Sequence, residues 1–298
     1  MRHDLVSLRV FATIGDTLNL TRAAEHLHLT VSAVSKRVQE LEAHAGGPLL
    51  VRQPRGVQLT AVGQTLLHHA RQVLRDLDRL DEALGEHAAG LTGTVRLHAV
   101  ASSLLQFLPA DLGGFLAQHP RVLVQMEERT SQAVARAVAD GSADLGIVSH
   151  HTPLGALQAR PYRRDELVLA VPVGHVLASA RALHFAEALD HVFISSPVGS
   201  ALWRLMQDVA RDSGRPLRTQ VQVSSFDCLI RLIESGFGIG LLPRGVLGAS
   251  IDGGRLCAVP LLDVWTQRQL LLLCRNAEAL PAAARALMLH LELSLAPG

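Results

Sequence analysis

The chain has 298 residues, 48% of them hydrophobic and 18% charged, and its formal net charge is +1. This composition excludes an intrinsically disordered chain, and the length is sufficient for two domains with sizeable cores. Because the net charge is close to zero, a nucleic-acid partner would have to be indicated by local clusters of cations.

The N-terminal segment MRHDLVSLRVFATIG carries charges where a signal peptide needs an uninterrupted apolar run. Nowhere do about 18 uncharged apolar residues follow one another, as a membrane-spanning helix requires. We therefore expect a cytoplasmic protein with no membrane partner.

Three short helices are predicted in the first part of the chain. The first has apolar residues at helical spacing, is capped by Asp4 and ends at Gly15-Asp16. Thr21 is predicted to cap the second helix and Thr30 the third, because a threonine hydroxyl can accept a hydrogen bond from the first turn.

The third predicted helix has two distinct faces. An apolar stripe is formed by Val34, Val38 and Leu41. The opposite face carries short polar side chains and the only lysine of the chain, and consists of Ser32, Ser35, Lys36 and Gln39, with Arg37 at its margin. This mixture suits a helix that lies in the major groove of DNA, although an ordinary solvated helix face has a similar composition.

A β-hairpin is predicted directly after these helices. The segment PLLVRQPRGVQLT, residues 48–60, resembles two short strands joined by a Pro-Arg-Gly turn. Such a wing would place Arg52 and Arg55 against the phosphate backbone.

The run TRAAEHLHLTVSAVSKRVQELEAHAGGPLLVRQPRGVQLTAVG, residues 21–63, resembles the winged helix-turn-helix signature of the LysR-type transcriptional regulators from end to end. Lys36 stands where the family usually has an arginine, and Val31-Ser32 stands where Gln-Pro is common. An apolar Val31 could contact a thymine methyl group, so the operator preference is expected to differ.

The resemblance implies a dimer or tetramer that binds an imperfect DNA palindrome, responds to a small metabolite and has RNA polymerase as a further partner. The residues expected to contact double-stranded DNA are Thr21, Arg22, Thr30, Val31, Ser32, Ser35, Lys36, Arg37, Gln39, Arg52 and Arg55.

A long helix is predicted from Val62 to Glu86, with apolar residues repeating every seven positions. At 1.5 Å per residue it would be about 40 Å long, too long to pack wholly on a domain of this size. It either lies on its own chain or pairs with a second copy, and the resemblance to the family's linker helix favours pairing. The expected dimerisation residues are Leu66, Val73, Leu77, Leu80 and Leu84.

Strands and helices alternate after the segment GLTGT, residues 90–94, in a pattern typical of a parallel α/β domain. Strands are predicted at 95–100, 122–127, 145–148 and 167–171, and the same order of elements recurs from 192 to 243. We interpret the recurrence as a second lobe, and the final stretch as a return to the first lobe.

The predicted fold class is α+β multidomain: an N-terminal winged helix-turn-helix, a long linker helix and a C-terminal two-lobed α/β sensor domain like the periplasmic binding proteins. The expected boundaries are 1–61 for the DNA-binding domain, 62–89 for the linker and 90–298 for the effector-binding domain. Within the last, lobe I is placed at about 93–160 and 266–298, and lobe II at about 161–265.

A ligand cleft is expected between the lobes, because open α/β sheets bind ligands where helix N-termini follow the strands. Each serine or threonine at such a junction could equally be an ordinary helix cap, His150 a surface residue and Phe226 a core residue. The expected effector-binding residues are Ser102, Ser103, Thr130, Ser131, His150, Ser195, Ser196, Ser225 and Phe226. Because the helix N-termini attract negative charge, we expect a small anionic or polar effector.

No motif favours an enzyme, a cofactor or a metal site. There is no GxSxG nucleophile elbow, GFGIG lacks the dinucleotide spacing, and the paired histidines at 68–69 and 150–151 lack HExxH spacing. Cys228, Cys257 and Cys274 are odd in number and far apart, as is usual for core cysteines in a reducing compartment. The alternative to a regulator is a small-molecule binding protein whose N-terminal helices serve assembly rather than DNA binding.

Overall fold

A computed structural model of the protein describes residues 4–89, 91–198 and 200–293, without the side chains of 75, 78, 79 and 81–89. These residues form a first compact unit that ends at Thr92 and a second that contains most of the chain from Gly93 onward. Within the described ranges, no helix combines the length and the apolar character needed to cross a bilayer.

The first unit consists of α1 (Leu5–Thr17), α2 (Leu20–His26), α3 (Val31–Ala45), β1 (Leu50–Gln53), β2 (Gly56–Leu59) and α4 (Ala61–Ala89).

The helix ends of this unit agree only partly with the predictions. Thr30 caps α3, accepting from the N–H of Ala33 at 3.2 Å, as predicted. The cap of α2 is Asn19 rather than Thr21, because the Asn19 amide oxygen reaches the N–H groups of Thr21 and Arg22. Helix α1 runs two residues past Gly15 and ends at Leu18, which has the left-handed φ of 48°.

The helices of the first unit enclose a small apolar core. Its fully buried members come from α1, α2, α3 and the loop before β1, and include Val10, Phe11, Ile14, Ala23, Val34 and Leu49. The strands β1 and β2 pair antiparallel and form the predicted hairpin. Glu42 ties this hairpin to α3, since its carboxylate accepts from the N–H of Leu49 at 2.9 Å.

Gly56 begins β2 where the hairpin meets the end of α1. Its φ is +147°, and a Cβ built there would lie 2.4 Å from the carbonyl oxygen of Leu18. The same oxygen accepts from the N–H of Val57 at 2.9 Å, so only glycine fits at this contact.

The second unit contains alternating strands and helices: β3 (Gly93–Ala99), α5 (Ala101–Gln106), α6 (Leu108–Gln118), β4 (Val122–Glu128), α7 (Ser131–Asp140), β5 (Leu145–Ser149), β6 (Gln158–Pro172), β7 (Phe193–Ser195), α8 (Ala201–Asp212), β8 (Thr219–Gln222), α9 (Phe226–Glu234), β9 (Gly240–Pro243), α10 (Gly248–Asp252), β10 (Leu256–Pro260), β11 (Gln267–Cys274) and α11 (Ala282–Leu293). Short 3₁₀-helices lie at Val176–Ser179, Phe185–Asp190, Arg244–Leu247 and Val264–Thr266.

The main sheet of this unit is mixed rather than parallel as the sequence pattern predicted. Its order is β10-β6-β11-β5-β3-β4, and β9 also pairs with β6. Only the pairs β3–β4 and β3–β5 are parallel, whereas β6 and β11 run antiparallel to their neighbours. A separate parallel pair is formed by β7 and β8.

Strand β6 takes part in two halves of the unit. Its residues 158–166 pair with β11, and its residues 167–172 pair with β9 and β10. We use the name lobe I for β3, β4, β5, β11 and the first part of β6 with their helices, and lobe II for the remainder. The core of lobe II includes Phe185, Phe193, Ile194, Leu229 and Ile233.

Candidate functional site

The polar face of α3 is exposed, while its apolar stripe is buried. Val34 is fully buried and Lys36 is exposed. Among the predicted DNA contacts, the exposed residues are Thr21, Arg22, Thr30, Val31, Ser32, Lys36, Gln39, Arg52 and Arg55. Ser35 and Arg37 are half-buried.

Three cations of α3 and the hairpin keep uncompensated charges. No carboxylate of the described residues lies within ion-pair distance of Lys36, Arg52 or Arg55. Arg52 lies on β1 and Arg55 in the turn after it, as a wing that contacts phosphates requires.

Arg37 has a different environment from its neighbour Lys36. Its guanidinium Nη1 donates to the Asp4 carboxylate at 3.2 Å and to the Ser7 hydroxyl at 3.0 Å. Arg37 therefore joins α3 to the beginning of α1, and its charge is compensated within the unit.

Helix α4 leaves an apolar stripe uncovered within its own unit. Leu67 and Ala70 are buried against the unit, but Val73 is 42% and Leu80 54% exposed. Leu66 and Leu77 are half-buried, and the side chain of Leu84 lies outside the described residues. A groove of about 660 Å³ beside this stripe is lined mainly by apolar residues of α1, α3 and α4, including Leu5, Leu8, Leu41, Val62, Leu66 and Val73.

In the second unit, the N-terminal ends of α5, α7, α8 and α9 surround a cavity of about 330 Å³. We name it the first cavity. Of the residues predicted to bind an effector, it is lined by Ser102, Thr130, Ser131, Ser196 and Phe226.

Two of the predicted serines are used inside the protein instead. Ser103 is fully buried and its hydroxyl donates to the carbonyl oxygen of Val100 at 2.8 Å. The buried Ser195 hydroxyl donates to the carbonyl oxygen of Ser196 at 3.2 Å. A hydroxyl that satisfies the backbone in this way turns away from the cavity.

His150 and Ser225 also lie outside the cavity lining. The Nδ1 atom of His150 lies 3.2 Å from backbone atoms of Gln269, and its ring packs on His151 with centroids 3.7 Å apart. Ser225 caps α9 and accepts from the N–H of Cys228. Each of these residues therefore has the ordinary structural use that its sequence position also allowed.

Three arginines of the cavity wall were not predicted from the sequence: Arg129, which pairs with Glu127, and Arg204 and Arg268. Arg204 is exposed on α8, and Arg268 on β11 is only 6% exposed. Arg268 forms an ion pair with Asp165, yet its Nε has no hydrogen-bond partner among the described residues. Burial raises the pKa of the Asp165 carboxyl, against the opposing effect of the arginine.

A sequence signal for Arg268 exists in its strand. Arg268, Leu270 and Leu272 are the buried positions of an alternating pattern in the first six residues of β11, 267–272. A charged residue in phase with buried leucines indicates a site, because buried charges are rare unless they are paired.

A second cavity of about 400 Å³ adjoins the first. It shares Ser131, Ser149, Ala201, Arg204 and Arg268 with the first cavity and adds polar side chains such as Gln132, His151, Thr152 and Asp208. Partial burial, then the nearby His150 and Arg268, lower the pKa of His151.

Across the described part of the chain, no cluster of three or more His, Cys, Asp or Glu side chains is suited to a metal ion.

Two family models match this chain. The one described as "LysR substrate binding domain" matches residues 88–295. The one described as "Bacterial regulatory helix-turn-helix protein, lysR family" matches residues 5–64.

Several curated proteins are similar along almost the full length. The "RuBisCO operon transcriptional regulator" of Allochromatium vinosum is 26% identical, over 96% of this chain and 94% of that protein. The "HTH-type transcriptional regulator CfxR" of Cupriavidus necator is 28% identical, over 87% of this chain and 81% of that protein.

Solved structures agree in fold. Full-length CbnR complexed with its target DNA has a TM-score of 0.73 and 19% identity, with 98% of this chain and 100% of that chain covered. The regulatory domain of CcmR from Synechocystis PCC6803, in complex with 2-PG, has a TM-score of 0.63 and 20% identity, with 68% of this chain and 97% of that chain covered.

Proposed function

The chain belongs to the LysR family of transcriptional regulators and pairs a DNA-binding helix-turn-helix with an effector-binding domain; from this premise we propose which surfaces perform each function. DNA is held by the exposed face of α3 together with the hairpin, through Lys36, Arg52 and Arg55. A small anionic or polar effector binds in the first cavity. Neither surface is given a catalytic role, and the similar proteins from Allochromatium vinosum and Cupriavidus necator are transcriptional regulators.

One observation supports this DNA-binding surface. Three uncompensated cations lie on α3 and the hairpin, and the apolar stripe of α3 is buried, so that its polar face is exposed. Cations without internal partners are available to phosphates, and the short polar side chains of Ser32 and Gln39 can reach base edges. Arg37 is omitted from this set, because Asp4 and Ser7 already bind it.

The uncovered stripe of α4 supports the proposal that the protein binds DNA as an oligomer of identical chains. A second copy that covers Val73 and Leu80 would bury exposed apolar area and present two recognition helices to a two-fold related site. The proposed partners are thus DNA, a second copy of the chain, an effector and RNA polymerase, and the proposed compartment is the cytoplasm, where this DNA lies.

The proposed mechanism is a population shift. An effector changes DNA binding only if it binds one oligomer shape more tightly than another. The cavity lies among helices of both lobes, so a ligand there contacts elements whose separation can differ between shapes.

The experiment that tests the DNA-binding proposal is fluorescence anisotropy with the promoter DNA beside the protein's own gene and a scrambled duplex, over a salt series. Lys36→Ala is compared with Arg211→Ala, which removes an exposed arginine from α8. Wild type and Arg211→Ala should prefer the promoter, with affinity falling steeply as salt rises. Lys36→Ala should bind more weakly, and its salt slope should be smaller by about one.

Equal, weak binding of both duplexes by all three proteins would contradict the proposed DNA surface. Only the effector-binding part of the proposal would then remain, and the N-terminal helices would be assigned to assembly of the oligomer.

A further inference from the structure

The two cavities of the second unit meet at a shared wall. Five residues line both of them: Ser131, Ser149, Ala201, Arg204 and Arg268. We call these residues the junction. Two of these residues, Arg204 and Arg268, are arginines, so both cavities border the same two cations.

Beyond the junction, the first cavity is largely apolar. Its wall includes Val100, Ala101, Leu202, Phe226 and Leu270. Leu202, Phe226 and Leu270 are buried residues that line this cavity. A hydrocarbon group placed there is transferred out of water, which favours binding in proportion to the area covered.

At the junction, Arg268 retains an unused donor. Its side chain is more than nine-tenths buried, one end of the guanidinium pairs with Asp165, and its Nε has no hydrogen-bond partner within the described part of the chain. A buried donor without an acceptor is unfavourable, so a ligand oxygen gains the missing bond if the guanidinium turns its Nε toward the cavity.

Arg204 adds a positive charge that no described carboxylate neutralises within ion-pair distance. Neither acidic residue of the walls belongs to the junction, since Glu128 lines only the first cavity and Asp208 only the second. Asp208 is moreover paired with Arg211 at 3.0 Å. Negative charge on a ligand is thus most favourable at the junction, beside both arginines.

We propose that the effector is a carboxylic acid with an apolar body, whose carboxylate binds Arg268 and Arg204 at the junction while its hydrocarbon part lies between Leu202, Phe226 and Leu270. This inference rests on the proposed effector cavity and narrows its ligand class. A compact polyanion would leave the apolar wall in contact with water, and a neutral amide would leave Arg204 without a counter-charge.

The test is isothermal titration calorimetry on the full-length protein without DNA. The probes are straight-chain carboxylates from butyrate to decanoate, benzoate and its alkyl-substituted forms, the primary amides of the same acids, malonate and inorganic phosphate. At least one of the hydrophobic acids should bind, its amide should bind at least about tenfold more weakly, and malonate and phosphate should bind more weakly than that acid.

Two variants locate the carboxylate. Arg204→Ala should weaken binding of the acid about tenfold, whereas Arg121→Ala, which removes an exposed arginine outside both cavities, should leave binding unchanged. Arg268→Lys keeps the charge opposite Asp165 but removes Nε, and should also weaken the acid. Unchanged affinity in both Arg204→Ala and Arg268→Lys would overturn the placement of the carboxylate.

The ligand class is overturned if the amides bind as tightly as the acids, if malonate or phosphate binds as tightly as any acid, or if none of the acids binds. Promoter binding by the same protein samples is measured in parallel. A regulator that still binds its promoter but takes none of the acids would refute this inference and leave the proposed DNA-binding function in place.

Discussion

Arg37 on α3 donates to Asp4, the cap of α1, with Nη1 and Oδ1 3.2 Å apart. The bonds that Asp4 accepts from the N–H and hydroxyl of Ser7, together with the charge of Arg37, hold the pKa of this carboxyl below its usual range. The adjacent Lys36 is exposed and has no ion-pair partner among the residues that the structure describes. Two neighbouring cations therefore have different uses: Arg37 joins two helices, and Lys36 is available to DNA.

Replacing these two residues separately should show that Arg37 contributes mainly to stability and Lys36 mainly to DNA affinity. Arg37→Ala is expected to lower the free energy of unfolding by about 0.2–1 kcal/mol, the range for a partly exposed ion pair, and to lower DNA affinity less than Lys36→Ala does. Lys36→Ala should leave thermal unfolding unchanged. Thermal melts and anisotropy measure both effects, and a larger affinity loss in Arg37→Ala would contradict the assignment.

Val31, 42% exposed at the tip of α3, should contact a thymine methyl group. Replacing the contacted thymine of the bound site by uracil removes one methyl group, and wild-type affinity should fall about fourfold, from roughly 0.8 kcal/mol per buried carbon. Val31→Ser should be insensitive to the same change in the duplex. Anisotropy with a thymine-to-uracil scan of the site provides the comparison; a scan without effect on the wild type would exclude the contact.

The uncovered stripe of α4 should control oligomer size. Val73→Glu would place a charge in an apolar interface, so its molar mass by light scattering should shift toward that of one chain, and promoter affinity should fall. Gln64→Glu adds the same charge nine residues earlier, on the opposite side of the helix, and should keep the wild-type mass. Equal masses for wild type and Val73→Glu would mean that the stripe is not an interface.

Gly56→Ala should destabilise the first unit, because its φ of +147° disfavours a side chain and its Cβ would meet the Leu18 carbonyl oxygen at 2.4 Å. The expected loss is about 1–3 kcal/mol, measured by chemical denaturation. Gly47→Ala is the control, since a Cβ there has nothing within 4 Å and its φ is not positive. Comparable losses in the two variants would show that the contact between β2 and α1 is not the cause.

His151 should make stability depend on pH. Burial lowers its pKa in the folded chain below the usual 6.5, so the unfolded chain takes up a proton first as the pH falls. Stability is then retained above about pH 6.5 and is lost as the pH falls below it. Melting temperatures between about pH 8 and pH 5 should fall less steeply in His151→Gln than in the wild type; parallel curves would contradict this origin.

The sequence predicted the first unit well because its signals are local. Thr30 and Val34 lie within one helical turn of each other, and the hairpin with Arg52 and Arg55 is contained in 13 residues. The prediction of the α2 cap was wrong because Asn19 and Thr21 are both suitable cap residues, and which of them caps the helix depends on where α1 ends. The partner of Arg37 was missed because Asp4 is 33 positions away.

The fold of the second unit was harder to predict because its main sheet pairs strands that are far apart in the sequence. The first half of β6 contains Arg160, Arg163, Arg164, Asp165 and Glu166, which hide its strand character in the sequence. The pairing of β6 with β11 joins residues about a hundred positions apart and makes the sheet mixed. The ion pair of Arg268 with Asp165 follows from this pairing, so the junction could not be placed from serine and threonine positions alone.

Strand β6 has a consequence for how this protein can be divided. Its residues 158–166 complete the sheet of lobe I and its residues 167–172 complete that of lobe II, so a cut within the strand would leave open edges on both sides. The lobes should therefore unfold together, in one cooperative transition. Hybrid regulators that exchange sensing between relatives should accordingly be joined before Gly93 and take the whole second unit from one parent.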